Sequence, residues 1–355
     1  MRILVTGNMG YIGPSVLNRL RASYPDAHLI GLDTGYFGHC LTGVSELPER
    51  RVNLQYFADV RDLTGDVLRD VDAVVHLAAI SNDPMGNKYE EVTREINHKA
   101  SVKLAQLAKD AGVSRFVYAS SCSVYGFAEG GPRHERDELH PLTAYARSKA
   151  GTERDIEPLA EPGFVVTCLR FSTACGMSER LRLDLVLNDF VAAAVATGEI
   201  TILSDGTPWR PLIHIEDMAR AVDWALERDA SQGGAFLAIN AGSDEWNVQI
   251  RDLAEAVAGR LPSVSVSIDE AAAPDKRSYR VDFSLFRELA PRHQPQIDLS
   301  AAVDGLHAGL ERMKFKDAGF RDTTYMRLKV LSELSARGAL DAQLRWTALP
   351  HAKAC

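Results

Sequence analysis

The chain is poor in the features that would send the reading elsewhere. No uninterrupted apolar run is long enough to span a bilayer, so a membrane protein is not expected. No charge of one sign dominates. The net charge is −8, with acidic and basic residues interspersed, which gives no electrostatic case for binding nucleic acid. Cysteine is scarce, at five residues (Cys40, Cys122, Cys168, Cys175, Cys355). An odd count without a C-x-x-C pair excludes a disulfide framework and a zinc ribbon, and free thiols in a cytoplasmic protein are expected. His134 and His140 flank acidic residues in a polar stretch, which reads as a solvated loop, so no metal site is expected. Internal repeats and low-complexity tracts are absent as well. What remains is an ordinary globular composition, 46% hydrophobic and 25% charged over 355 residues, enough for one large or two coupled domains.

The informative stretch is the first. Ile3, Leu4 and Val5 form a short β-rich apolar run that predicts a buried strand, leaving no room for a signal peptide. The run leads into glycines at 7, 10 and 13, and then Val16, Leu17 and Leu20 recur at helical spacing. Pro14 fits the first helical turn, where an N–H has no internal partner. Glycines between a strand and a helix let the backbone approach a diphosphate, and the helix end offers free N–H donors. His28 to Leu32 predicts a second strand, ending at Asp33, 20 residues beyond Gly13. A carboxylate at that distance accepts hydrogen bonds from adenosine ribose hydroxyls and repels a 2′-phosphate. With no Arg or Lys between Asp33 and Arg50, NAD is favoured over NADP.

Strands and helices then alternate. Predicted strands cover 52–58, 71–79, 116–119 and 164–170. An amphipathic helix carries Val92, Ile96, Val102, Leu104, Leu107 and Ala108, with Asn97 and His98 inside it. Asp59 and Val60, at the end of the third strand, are placed to meet an adenine edge. Leu77, Ala78 and Ala79 end the fourth in small side chains that leave room for a cofactor. This alternation predicts βαβ units and an α/β fold, a doubly wound parallel sheet of the Rossmann type. Beyond residue 175 the rhythm changes. A helix within 181–197, short strands near 200–203 and 264–268, a buried run over 212–215 and a helix over 218–226 predict a smaller, discontinuous α/β lobe with a cleft between. The division assigns 1–175 and 211–242 to the dinucleotide-binding domain and 176–210 with 243–320 to the substrate lobe. Residues 321–355 form a tail with a helix over 325–340.

The chemistry centres on Ser121, Tyr145 and Lys149. On a helix, Tyr145 and Lys149 share a face. A phenol titrates near pH 10 in water; a neighbouring ammonium, and a positive nicotinamide, are expected to lower that value. Such a tyrosine exchanges a proton with a sugar hydroxyl while a hydride moves between the sugar and the nicotinamide.

These residues together resemble the extended short-chain dehydrogenase/reductase family, in its nucleotide-sugar epimerase/dehydratase branch. The likeness spans about 1 to 320 and is carried by Gly7 to Gly13, Asp33, Asp59-Val60, His76 to Ala79, Ser120 to Gly126, Tyr145-Ala146-Arg147-Ser148-Lys149, and Trp209 to Asp217. The resemblance implies that Ser121 fills the catalytic hydroxyl position and that Gly7, Gly10, Tyr11, Ile12, Gly13, Asp33, Asp59, Val60, Leu77, Ala78, Ala79 and Asn97 surround NAD with Tyr145 and Lys149. It implies a nucleotide-diphosphate sugar as substrate, with Arg210 gripping the diphosphate and Arg277 a second contact. Ser121, Ser123, Thr173 and Asn188 are the remaining substrate contacts, and a homodimer through the helices of Asn97 and Tyr145 is expected. Two departures matter. Cys122 and Ser123 stand where the 4,6-dehydratases carry Asp-Glu, which argues against dehydration. Thr173 stands where Asn is common. The expected reaction is 4-epimerisation, with a net 4-ketoreductase as the alternative and a non-catalytic dinucleotide sensor as a further one.

Overall fold

In a computed structural model, residues 1–127, 130–268 and 278–347 are described; Arg277 lies outside them. The first half builds β1 (Arg2–Thr6), α1 (Gly13–Ser23), β2 (His28–Asp33), β3 (Leu54–Phe57), β4 (Ala73–His76), α2 (Asp83–Lys88) and α3 (Glu90–Thr93). A π-helical segment, Arg94–Lys99, leads into α4 (Ala100–Asp110), followed by β5 (Arg115–Ser121), α5 (Ala144–Ile156) and β6 (Val165–Phe171). The second half adds β7 (Thr173–Cys175), α6 (Val186–Thr197), β8 (Glu199–Ile202), β9 (Trp209–His214), α7 (Ile215–Glu227), β10 (Phe236–Ala241) and β11 (Asn247–Gln249). Then come α8 (Ile250–Arg260), β12 (Ser265–Ile268), α9 (Ser284–Leu289), α10 (Leu299–Arg312) and α11 (Arg327–Ala336).

Seven parallel strands form one sheet in the order β3-β2-β1-β4-β5-β6-β10. The chain reverses direction across the sheet between β1 and β4, and such a switch leaves a crevice beyond the strands' carboxyl ends. Alternate residues of each strand feed two cores, which is why the strands read as unbroken apolar runs. Ile3, Val5, Val75 and Val117 pack on the face covered by α1 and α7; Leu4, Val74, Phe116 and Tyr118 pack on the other. β10, the seventh strand, was not anticipated from the sequence.

The predicted helix around Asn97 is interrupted. Val92, Ile96, Ala100, Leu104 and Ala108 are all buried, at steps of four. A regular helix of 3.6 residues per turn would rotate such a row away from the core. The π-helical turn at Arg94–Lys99 restores the alignment.

A smaller body packs α6, α8 and α10 around Leu187, Val191, Leu253 and Leu306, against the two small sheets β11-β9-β7 and β12-β8. The tail helix is shorter than expected, Arg327–Ala336, and Leu331, Leu340 and Leu344 join the core beneath the large sheet's second face. No helix among the described residues is long and apolar enough to cross a membrane.

Candidate active site

A cavity of about 750 Å³ opens beyond the carboxyl ends of the central strands. At one end lies the glycine turn. Gly7 has φ +72°, and a Cβ there would stand 2.6 Å from Ala78 N, so only glycine fits. Gly10, Tyr11 and Ile12 line the cavity; Gly13 does not, and its role is packing, since a Cβ would meet Asn8 O at 2.0 Å. Helix α1 starts there with no side-chain cap and no acidic residue in its first turn. Its N-terminal donors are left for an anion.

Asp33, at the end of β2, takes amide hydrogen bonds from Met9 (3.0 Å) and Gly35 (2.7 Å). Burial pushes this carboxyl up, and the two amides oppose the shift. Asp59 and Val60 line the same end. Asp59 caps its turn through Arg61 N and is gripped by the Arg61 guanidinium at 2.5–3.0 Å, so its oxygens are largely engaged within the protein. Leu77, Ala78 and Ala79 form the floor. Asn97 is brought close but does not line the cavity. Its carboxamide bonds both the N–H and the C=O of Ile80 and donates to Ser148, tying the π-helical turn to the loop after β4.

At the other end, β5 delivers Ser121 and α5 delivers Tyr145 and Lys149; Ser123 and Thr173 complete this wall. Thr143 caps α5 by accepting from Ala146 N, which fixes the turn that carries Tyr145. Burial and the Asp83 carboxylate push Tyr145 up to about 12, against the opposing influence of the neighbouring Ser121 hydroxyl and Arg182. The expected lowering by Lys149 is therefore not seen in the protein alone. Lys149 is buried, donates to Ala119 O at 2.6 Å and lies 4.6 Å above the Tyr118 ring and 5.6 Å from that of Tyr145. Desolvation pulls its ammonium down to about 7.

The Ser123 hydroxyl is buried on the cavity wall with no partner among the described residues, and it suits a ligand hydroxyl. Cys122 points away, fully buried, with its thiol on Arg170 O at 3.1 Å, and burial pushes it far up. Arg210 reaches the cavity from β9. Asn188 does not reach it. Its carboxamide takes Gly176 N and donates to the Tyr11 hydroxyl and Arg182 O, a brace between the two bodies.

One cavity thus brings Ser121, Tyr145 and Lys149 together with the glycine turn, and residues 3–242 match the NAD dependent epimerase/dehydratase family. The chain belongs to that family. NAD is its cofactor, and the donor set fits it: a glycine turn with no room for a Cβ, an uncapped helix end and a carboxylate at the ribose position. The low-salt glycan biosynthesis protein Agl12 of Haloferax volcanii is 27% identical over 312 residues, 86% of this chain and 98% of that protein. A UDP-glucose 4-epimerase of Lactobacillus helveticus is 29% identical over 64% of this chain and 72% of its own length. The structure of MoeE5 in complex with UDP-glucose and NAD superposes with a TM-score of 0.74 at 25% identity, covering 88% of this chain and 99% of that one. TunA, an NAD dependent NDP-hexosamine 5,6-dehydratase, shares the fold at a TM-score of 0.74 and 24% identity, over 89% of this chain and 99% of its own.

The sequence did not point to several wall residues of this epimerase/dehydratase-family site. Arg182 pairs with Asp184 (2.8 Å) and donates to Ser81 (2.9 Å). Tyr279, Arg321 and Arg327 also face the cavity. For Arg321 and Arg327, far along the chain, no local pattern gave a signal.

Proposed function

We propose that the protein is an NAD-dependent nucleotide-sugar 4-epimerase, with Tyr145 as the acid/base. The observation that carries this reading is the convergence of Ser121, Tyr145 and the buried Lys149, its ammonium 5.6 Å from the Tyr145 ring, on one wall of the cavity that also holds the glycine turn. When bound, NAD would supply the hydride acceptor for sugar C4 and a positive charge that favours phenolate. The Ser121 hydroxyl holds the C4 oxygen in line. Tyr145 takes that oxygen's proton and later returns it, so the protein ends in its starting protonation state. The Lys149 ammonium, fixed by Ala119 O, favours the phenolate while the proton is on loan. Arg210, with its forked donors, suits the substrate diphosphate, and Ser123 and Thr173 suit the sugar hydroxyls.

Elimination of water is disfavoured by what surrounds the sugar end. It needs an acid and a base beside Ser121, where Cys122 is turned into the core. The carboxylates nearby are engaged: Asp83 by Thr143 (2.6 Å), Asp184 by Arg182 and Asn82, and Asp189 by Arg321. The test begins with acid-denatured protein and identification of the nucleotide released. Intact protein is then incubated with UDP-, dTDP-, GDP- and CDP-sugars. Retained NAD with redox-neutral interconversion of C4 isomers supports the epimerase. Stoichiometric consumption of reduced cofactor would replace it with the ketoreductase.

A further inference from the structure

Residues 320–347 turn inward at the cofactor end of the cavity. We propose that this segment is part of the NAD site and that Arg327, at the start of α11, binds the dinucleotide's diphosphate. The inference concerns the cofactor and holds whichever reaction occurs at the sugar end.

The argument starts from how this chain treats a buried arginine. Arg228 has no carboxylate partner, but its Nε donates to the Thr167 hydroxyl, and its two outer nitrogens donate to the carbonyls of Val166, Gln232 and Gly234. Arg180 is matched by the Glu49 carboxylate at 2.8 and 3.0 Å, although its Nε too has no partner among the described residues. Arg327 is 1% exposed and differs from both. It donates to the carbonyls of Thr324 (2.8 Å), Arg180 (2.8 Å) and Leu181 (3.1 Å), while its Nε is buried with no partner among the described residues. It lines the cavity, 5.2 Å from the centroid of the Phe37 ring, in the loop that follows Asp33. A buried guanidinium at a cavity wall, held by carbonyls and a ring face with no carboxylate among the described residues paired with it to balance its charge, is suited to an anion.

Two diphosphates enter a cavity of this kind, one in the cofactor and one in the substrate. Position favours the cofactor's. Phe37 and Asp33 sit at the ribose end, and the rest of the tail is pinned there too. Trp346 Nε1–H donates to Thr34 O at 2.6 Å, Arg61 donates to Gln343 O at 2.8 Å, and Arg345 pairs with Asp62 at 2.6 Å. The glycine turn and Arg327 line the same cavity, so backbone N–H groups of the one and the guanidinium of the other would hold the diphosphate together.

The test uses the full chain, freed of nucleotide, and titration calorimetry with NAD, ADP-ribose and UDP. Arg327→Gln, which keeps a donor for the carbonyls but loses the charge, is expected to weaken NAD and ADP-ribose about 10- to 100-fold and leave UDP unchanged. Unchanged NAD affinity with a lowered melting temperature would make Arg327 a structural brace and overturn the proposal. So would a loss confined to UDP. If the variant does not fold, hydrogen exchange on the unmodified protein decides: ADP-ribose should slow exchange over residues 320–336, and no slowing refutes the assignment.

Discussion

Lys149 is held as a cation at a cost to the fold, and replacing it by methionine should reveal that cost. The ammonium is 2% exposed, with a single hydrogen bond to Ala119 O and the Tyr118 face beneath it. Glu153, one turn on, favours its charge but is itself committed to Arg170 and Ser120. A fall from 10.5 to about 7 corresponds to about 5 kcal/mol of preference for the neutral amine, a ceiling on the penalty. Methionine keeps the stem and most of the volume but loses a charge-assisted hydrogen bond of roughly 2 kcal/mol. The variant should therefore gain about 2–3 kcal/mol at pH 6, where the wild-type amine is protonated in both states. Between pH 7 and 10.5 the unfolded chain binds more protons at this site than the folded one, so wild-type stability climbs relative to the variant. By pH 10 the advantage should vanish or reverse. Urea unfolding of both nucleotide-free proteins at pH 6, 8 and 10 measures the difference, since titrations common to both cancel. A difference that stays constant across that range would show that Lys149 is not buried as a strained cation.

Tyr145→Phe should lower kcat by at least about 1000-fold while leaving the NAD content and melting temperature unchanged, read by turnover and by nucleotide released on denaturation. With burial pushing Tyr145 up to about 12 in the nucleotide-free protein, the phenolate absorbance that distinguishes wild type from Tyr145→Phe should develop only in the strongly alkaline range and move to lower pH once NAD is bound; an identical titration with and without NAD would count against it. Gly13→Ala should prevent folding or cost more than about 3 kcal/mol, since its Cβ would strike the Asn8 carbonyl at 2.0 Å; thermal unfolding checks it. Cys122→Ala should cost about 1–2 kcal/mol of stability through the lost thiol packing and change turnover less than about threefold. A hundredfold loss of turnover would reopen a role for position 122 in elimination.

How much was legible follows from how local each signal is. The turn at Gly7 to Gly13 is one strand, one tight bend and one helix start, so its chemistry lies within a dozen residues. Tyr145 and Lys149 are four apart on α5, and helix geometry alone brings them to one wall. Asn188 and Gly13 show the limit. Both residue types suit the site, yet Asn188 spends its carboxamide on Gly176, Tyr11 and Arg182, and Gly13 is required by Asn8. Sequence offers a donor's identity but not the partner that consumes it. The π-helical turn hid for a different reason: the step of four from Val92 to Ala108 is readable as helix, and only the core's position reveals the extra residue per turn.

The phenol's environment was misjudged in sign because the sequence shows neighbours but not depth. Lysine at a four-residue spacing argues for an easier phenolate, while the cavity wall that buries both groups raises one and lowers the other. The two shifts share a cause, desolvation, and they leave the protein alone with a neutral phenol beside a weakened ammonium near pH 7. Positive charge brought by the cofactor would lower the phenol and depress the ammonium further. Lys149 then has to be held by Ala119 O and Glu153 for the phenolate to form. Glu153→Gln should consequently move the alkaline limb of the kcat profile while leaving NAD affinity alone. It reaches the chemistry only through the lysine, and an unmoved limb would show that Glu153 serves the Arg170 and Ser120 network alone.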